Sequence, residues 1–255
     1  MALLTDDIPS GLEDLLSYDS GVLDVARTEG VNLDLKLTIA WQELQLEVNN
    51  FLLHRSSCHG ESAVSQRPSA KEVVVNSAIR RWHLLQTLAL VYADLSGAQL
   101  NNRYQVKARQ FEKMARDSKE LAYPTGLGLV WNPIPRPAKA VVSVEGTGSL
   151  SGTFLIQAQY CGSRGELGAP SEESPVIVSG IDSVKVRIDG GQSPPVAGYH
   201  IYLRTPEKNW GRQTSALMPL NQVWSFSGHL VDGPEAGSGQ EPDYRVRLQR
   251  ILPKG

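Results

Sequence analysis

Five histidines and two cysteines are the side chains here best suited to activate a nucleophile or to hold a metal. The histidines are His54, His59, His83, His200 and His229. None stands in an HExxH or GxSxG pattern, the spacings that bring a metal ligand or a base onto a reacting atom. Cys58 adjoins His59, but neither lies at finger spacing from a second ligand pair, and Cys161 is far away. His83 lies beside Trp82 in a helical run and reads as a packed or solvent-facing histidine. The stretch Gly162 to Gly168, GSRGELG, follows a strand. No helix comes after it and no GK[ST] completes it, so it reads as a hairpin loop, not a phosphate cradle. Arg80, Arg81, Arg103, Lys107, Arg109 and Lys113 are able to contact phosphates. On helices such charges more often form a solvated face or a subunit contact, and Arg80, Arg81, Arg103 and Lys107 are the subunit-contact candidates. No catalytic residue, cofactor or metal site is expected. The chain reads as a scaffold and not an enzyme.

The elements that would position these groups change character along the chain. Ser10-Gly11-Leu12-Glu13 fits a capping box and opens a short helix. Gly21 and Gly30 break the segment after that helix. A longer helix starts near Asn32 or Asp34, with Leu37, Trp41, Leu44, Val48, Phe51 and Leu52 as its apolar stripe, and ends near His54-Arg55. Ser56 to Ala70 is polar and reads as a long exposed loop. Val73 to Val75 is β-branched, and Asn76 is a helix N-cap. Ile79, Trp82, Leu85, Leu88, Val91, Tyr92 and Leu95 then form one stripe. Leu100, Tyr104, Ala108, Phe111, Ala115 and Leu121 form a second. Two long amphipathic helices in series need partners over their apolar faces.

Pro124 and two glycines stop the helices. Pro133, Pro135 and Pro137 alternate and fix an extended strut. Beyond it the period falls to two. Strands are expected at 141–144, 153–160, 175–178, 183–188, 198–204 and 223–226, with Glu145 to Gly148 as one turn between them. The expected fold is α+β: a helical domain over 1–130, a strut over 131–138, a β-sandwich of fibronectin III or immunoglobulin type over 139–235, and an extended arm over 236–255. In the arm, Val246 and Leu248 alternate with Arg245, Arg247 and Gln249. Tyr244, Arg245, Val246, Arg247, Leu248, Ile251 and Leu252 are the candidate partner-binding residues there. Trp210, in a polar stretch, is either an exposed aromatic for a partner or sugar, or a lid on the sheet edge.

The 255 residues carry 25 Lys+Arg against 27 Asp+Glu, so a basic field for wrapping nucleic acid is absent. The distribution is uneven: residues 1–50 hold ten acids and two bases, and residues 51–135 hold eleven bases and six acids. That asymmetry suits pairing within the chain or with a neighbouring copy. The first residues lack the basic and apolar regions of a secretory signal. No apolar run reaches membrane-spanning length.

The run Ala78 to Tyr92, AIRRWHLLQTLALVY, resembles the helical core of head–tail connector (adaptor) proteins of tailed bacteriophages. Leu100-Asn101-Asn102-Arg103-Tyr104 and Gly126 to Val130 look like its continuation. Gly198 to Tyr202, with Pro219, Leu220 and Trp224, is similar to β-modules appended to phage structural proteins. The resemblance implies a homo-oligomeric ring, usually of twelve copies, at the head–tail junction (neck) of the virion, with the chain made in the bacterial cytoplasm. It implies as partners the portal protein, tail or neck proteins, and double-stranded DNA passing through the lumen without sequence-specific binding. It also implies an extended C-terminal segment inserting into the portal, with Tyr244 to Leu252 as the candidate. A virion-decoration or carbohydrate-binding role for the β-module is the alternative.

Overall fold

A computed structural model describes residues 1–57, 68–98, 103–189, 195–226, 228 and 230–247. The chain divides into two compact units. One is helical and comprises Asp7–Val130 with Pro242–Gly255; the other is β and comprises Met1–Asp6 with Trp131–Glu241. The helices are α1 (Leu12–Tyr18), α2 (Val22–Glu29), α3 (Leu33–Ser57), α4 (Ser77–Ala98) and α5 (Gln105–Thr125). The strands are β1 (Val73–Val74), β2 (Leu127–Leu129), β3 (Val141–Gly162), β4 (Leu167–Pro170), β5 (Ser174–Arg187), β6 (Val196–Thr205), β7 (Lys208–Arg212), β8 (Trp224–Phe226) and β9 (Tyr244–Val246).

In the helical unit α4 is the central element. Ile79, Trp82, Leu84, Leu85, Leu88, Val91, Tyr92 and Leu95 are all buried, on more than one side of the helix. A helix apolar most of the way round belongs in a core. Asn76 caps it as expected, its Oδ1 accepting the Ile79 N–H at 2.9 Å. Leu37, Leu44, Val48 and Leu52 of α3 are buried, as are Phe111 and Ala115 of α5. Tyr92 stacks on Phe111 with ring centroids 5.4 Å apart. The stripes therefore cover one another inside the chain, and their burial calls for no second subunit. Three local expectations shift. The cap of α1 is Gly11, whose N–H donates to the Asp14 carboxylate at 2.9 Å, because the Ser10 hydroxyl is engaged with His83. Gly21 and Gly30 bracket a helix, α2, where the glycines alone suggest a break. On α5 the buried row passes through Ser118 and Ala122, and Leu121 is exposed. Most of the expected loop 56–70, and Leu100, lie outside the described residues.

A small antiparallel sheet, in the order β1-β2-β9, closes this unit. Leu127 pairs with Val246 and Leu129 with Tyr244. β9 comes close because Gly128 has no side chain: a Cβ there would lie 2.7 Å from the Cβ of Pro242.

In the β unit the expected sandwich is not found. The strands form one open six-stranded sheet, in the order β7-β6-β3-β5-β8 with β4 also on β3. The reason is strand length. Glu145 to Gly148 has turn composition, yet β3 runs through it as one 22-residue strand. Likewise the two runs expected at 175–178 and 183–188 are a single 14-residue β5. The glycine-rich residues are bulges in a continuous ladder: the β3–β5 register shifts between Glu145 and Ser151. Gly152 and Gly180, at φ 113° and 108°, take backbone conformations that side-chain-bearing residues avoid. With four expected short strands merged into two long ones, the described strands of this unit form one sheet, with no second sheet to pack against.

The sheet covers its apolar face by bending. Val144 pairs with Val184, and Val184 with Phe226. From Val144 to Phe154 a straight strand would run about 33 Å. Yet the rings of Phe154 and Phe226 lie edge to face at 6.2 Å, so the ribbon folds across itself at the bulge. Ile156, Tyr199, Ile201 and Val186 fill the same cluster. The proline stretch 133–137 is extended and docked within this unit. The Ile134 N–H donates to Gln240 Oε1 at 2.6 Å, and the Arg136 N–H donates to Asp6 Oδ1 at 2.9 Å. Leu3 and Leu4 of the same unit are buried.

Candidate interaction surface

The titratable groups are separately engaged. His83, on α4, is fully buried. Its Nδ1 lies 2.6 Å from Ser10 Oγ, and its Nε2 lies 3.0 Å from the Leu37 carbonyl. A carbonyl only accepts, so Nε2 carries the proton and Nδ1 accepts from the serine. Burial pushes the imidazole pKa below its ordinary value, against smaller raising effects of the Leu37 bond and the Asp14 charge. The ring is a structural link between α4, α3 and the segment before α1. It carries a pH signature. The folded pKa is depressed, so as pH falls through about 6.5 the unfolded chain binds the proton first and stability falls. His83→Gln is expected to flatten that acid limb for the helical unit by up to ~1.4 kcal/mol per pH unit. Amide exchange of α4 between pH 7 and 5 measures it, and an unchanged slope would show that His83 titrates freely.

His200, on β6, accepts or donates at Nδ1 to Thr214 Oγ1 over 2.9 Å, and burial, with Arg212 adding to it, lowers its pKa. Cys161 is a buried thiol whose pKa burial pushes up, with the charge of Glu166 adding to it. That is the opposite of an activated nucleophile. His54 is exposed near the end of α3. Cys58, His59 and His229 lie outside the described residues. Among the described residues no three of His, Cys, Asp and Glu converge as a metal site would require, and no helix is long and apolar enough to cross a membrane. Gly162 to Gly168 is a hairpin turn, closed by the Gly162 N–H on the Glu166 carbonyl at 2.8 Å.

The cationic candidates do not form one patch. Lys107 donates to Asp19 Oδ2 at 2.7 Å and to the Tyr92 hydroxyl at 3.1 Å, and the Tyr92 hydroxyl donates to the same carboxylate at 2.5 Å. The Asp19 carboxyl pKa is lowered although its burial opposes this, because Lys107 and Tyr92 both donate to it. Lys107 is thus a clasp between α5 and the end of α1. Arg80 donates from Nε to the Pro9 carbonyl at 2.9 Å. Arg81 is exposed, and Arg103 lies over the Tyr104 ring at 5.3 Å. In the arm, Tyr244, Arg245 and Val246 form β9 on the chain's own β2, with Arg247 next in the chain. Leu248, Ile251 and Leu252 lie outside the described residues. Trp210 is half-buried, with the Arg204 guanidinium 5.1 Å from its ring centroid.

One surface stands out that the apolar spacing had not singled out. The face of α3 opposite its buried stripe carries a line of exposed apolar residues, interrupted by exposed Gln42. Leu35, Leu46 and Leu53 are 53%, 62% and 45% exposed, and half-buried Ile39 lies on the same line. At ~100° per residue these four positions fall within about 40° of one another. The buried row Leu37, Ala40, Leu44 and Val48 centres on the other side of the helix. The signal is present in the sequence as a second apolar repeat, masked because the buried stripe already explains the helix. Compared with protein-family models and with curated proteins, the chain matches none.

Proposed function

We propose that this chain is a structural component of a tailed-phage virion: an adaptor that forms a ring at the head–tail junction, between the portal and the tail. The observation that supports the reading is the double-faced α3. One apolar side lies in the core and the other lies in solvent, where a large apolar line signals contact with another protein. Rings form when each subunit carries two different complementary patches. The acidic N-terminal residues suit the lumen: Glu13, Asp24, Asp34 and Glu43 are exposed, and like charge keeps passing DNA from sticking. In this reading the groups that are buried or clasped, His83 and Lys107 among them, hold the scaffold rigid and perform no reaction.

Immunogold electron microscopy of particles that carry the chain tests the role. Label is expected at the neck, in several copies. Label at the tail tip or over the capsid shell, or particles without label, would overturn it.

A further inference from the structure

We infer that the face of the six-stranded sheet opposite its core holds a small carboxylate, bound by the Arg212 guanidinium, the Tyr202 hydroxyl and the His200 imidazole. Ile156, Ala158, Ile201 and Leu203 lie in the core cluster. The residues that alternate with them, Gln157, Gln159, His200 and Tyr202, therefore occupy the other face. Strand register sets these in rows. Gln157 is opposite Tyr202, which is opposite Arg212, and Gln159 is opposite His200. Polar side chains of this kind are mostly exposed, yet Gln159, Tyr202 and His200 are 0%, 2% and 8% exposed. Residues 234–237 border the face. The Arg212 N–H donates to the Pro234 carbonyl at 3.0 Å, and Gln159 Nε2 donates to the Gly237 carbonyl at 3.0 Å. Gln157 and Arg212 are half-buried, so the first row remains open to solvent at both ends.

This row is rich in donors and lacks an acid. In the same unit Lys185, Arg187, Arg204 and Lys208 each have a carboxylate partner at 2.8–3.5 Å. Among the described residues Arg212 makes no ion pair, side-chain hydrogen bond or ring contact. Glu235, in the bordering segment, is exposed and makes no ion pair there. Burial lowers the His200 pKa and the Arg212 charge adds to it, while burial raises that of Tyr202 and Arg212 draws it partly back. The guanidinium therefore stands close to both rings. The Tyr202 hydroxyl and His200 Nε2 also have no partner among the described residues. Thr214 Oγ1 accepts the Ile201 N–H at 3.4 Å, so its own hydrogen is free to go to His200 Nδ1, which puts the imidazole proton on Nε2. A guanidinium fork, a phenol and an imidazole N–H are the donor set that an oxyanion needs. With His200 neutral the site carries one positive charge, which matches a carboxylate better than a doubly charged phosphate. The Gln159 amide is fixed by the Gly168 and Gly237 carbonyls and its Oε1 is sealed from solvent, so it takes no part.

Magnetic-resonance titration of the full-length chain, isotope-labelled at histidine and tyrosine, tests the site. Sodium acetate is the probe, sodium chloride the salt control and inorganic phosphate the rival oxyanion. Acetate is expected to give saturable shifts of His200 Nε2 and the Tyr202 ring, half complete below about 50 mM. Arg212→Gln should weaken binding at least about tenfold, and Tyr202→Phe, read on His200, at least about threefold. Lys208→Gln removes an equal charge elsewhere and should leave the affinity within about twofold. Acetate-free spectra report whether each variant is folded. If Arg212→Gln is not, Arg212→Lys takes its place: it keeps the charge but loses the fork, and a loss of at least about threefold is expected. Shifts that chloride reproduces, shifts that do not saturate by about 200 mM acetate, or full affinity without the Arg212 fork would overturn the site. Phosphate bound more tightly than acetate would overturn the choice of a carboxylate. The adaptor role stands or falls separately, on the position of the chain in the particle.

Discussion

Replacing Trp82 with alanine is expected to destabilise the helical unit by about 3–5 kcal/mol. Trp82 is 3% exposed. Its ring meets Tyr123 edge to face at 5.9 Å, and Tyr123 stacks in turn on Phe51 at 4.3 Å. The indole is therefore the α4 member of a three-ring contact that ties α3, α4 and α5 together. Removing it leaves a hole bounded by helices that are also held elsewhere. They cannot collapse inward freely, so the cavity cost adds to the lost transfer energy. Tyr123 would report the change as well: its hydroxyl pKa, pushed up to about 12 by burial with Glu47 adding to it, would move back toward the ordinary value as water enters. Two units need not unfold together, so the measurement is amide exchange of α4 peptides and not a single melting curve. A loss under about 1 kcal/mol would mean that the indole does not hold these helices.

In the β unit, Phe154→Ala is expected to cost about 3–5 kcal/mol, read from exchange of β3 and β5 peptides. Phe154 is 6% exposed and touches Phe226 across the fold of the ribbon. Trp224 stacks on Phe226 at 5.4 Å, so loss of the first ring loosens two others. The location of the effect is as telling as its size. If the sheet folds on itself at the bulge, protection should fall in β8 as well as in β3. A double-mutant cycle of Phe154 with Phe226 should give a coupling of about 0.5–1.5 kcal/mol. Zero coupling would mean that the two halves of the ribbon do not meet.

The helices are readable from the sequence because their signal is local. Ile79 to Leu95 repeats at helical spacing, and Asn76 caps from a fixed offset, so chain order alone specifies both. The bent sheet is not readable in that way. Glu145 to Gly148 has the composition of a turn, and only the partner strand decides whether glycines turn the chain or bulge it. Ser10 shows the same limit. Its offset from Glu13 fits a cap, but the hydroxyl bonds His83, 73 residues away. The spacing permits Leu121 in the core, but Ser118 with Ala122 takes the place, since small side chains let helices approach. The surface offered by α3 is the least visible of all. Leu35, Leu46 and Leu53 look like ordinary core residues until burial shows that the core lies on the other side.

The pairing of β9 with β2 also bears on how the molecule is made. A ribosome delivers Leu129 long before Tyr244, and at ~5–20 residues per second the delay is on the order of ten seconds. For that interval the nascent helices wait with one edge of their closing sheet bare, and the unit begun first is completed only when β9 arrives.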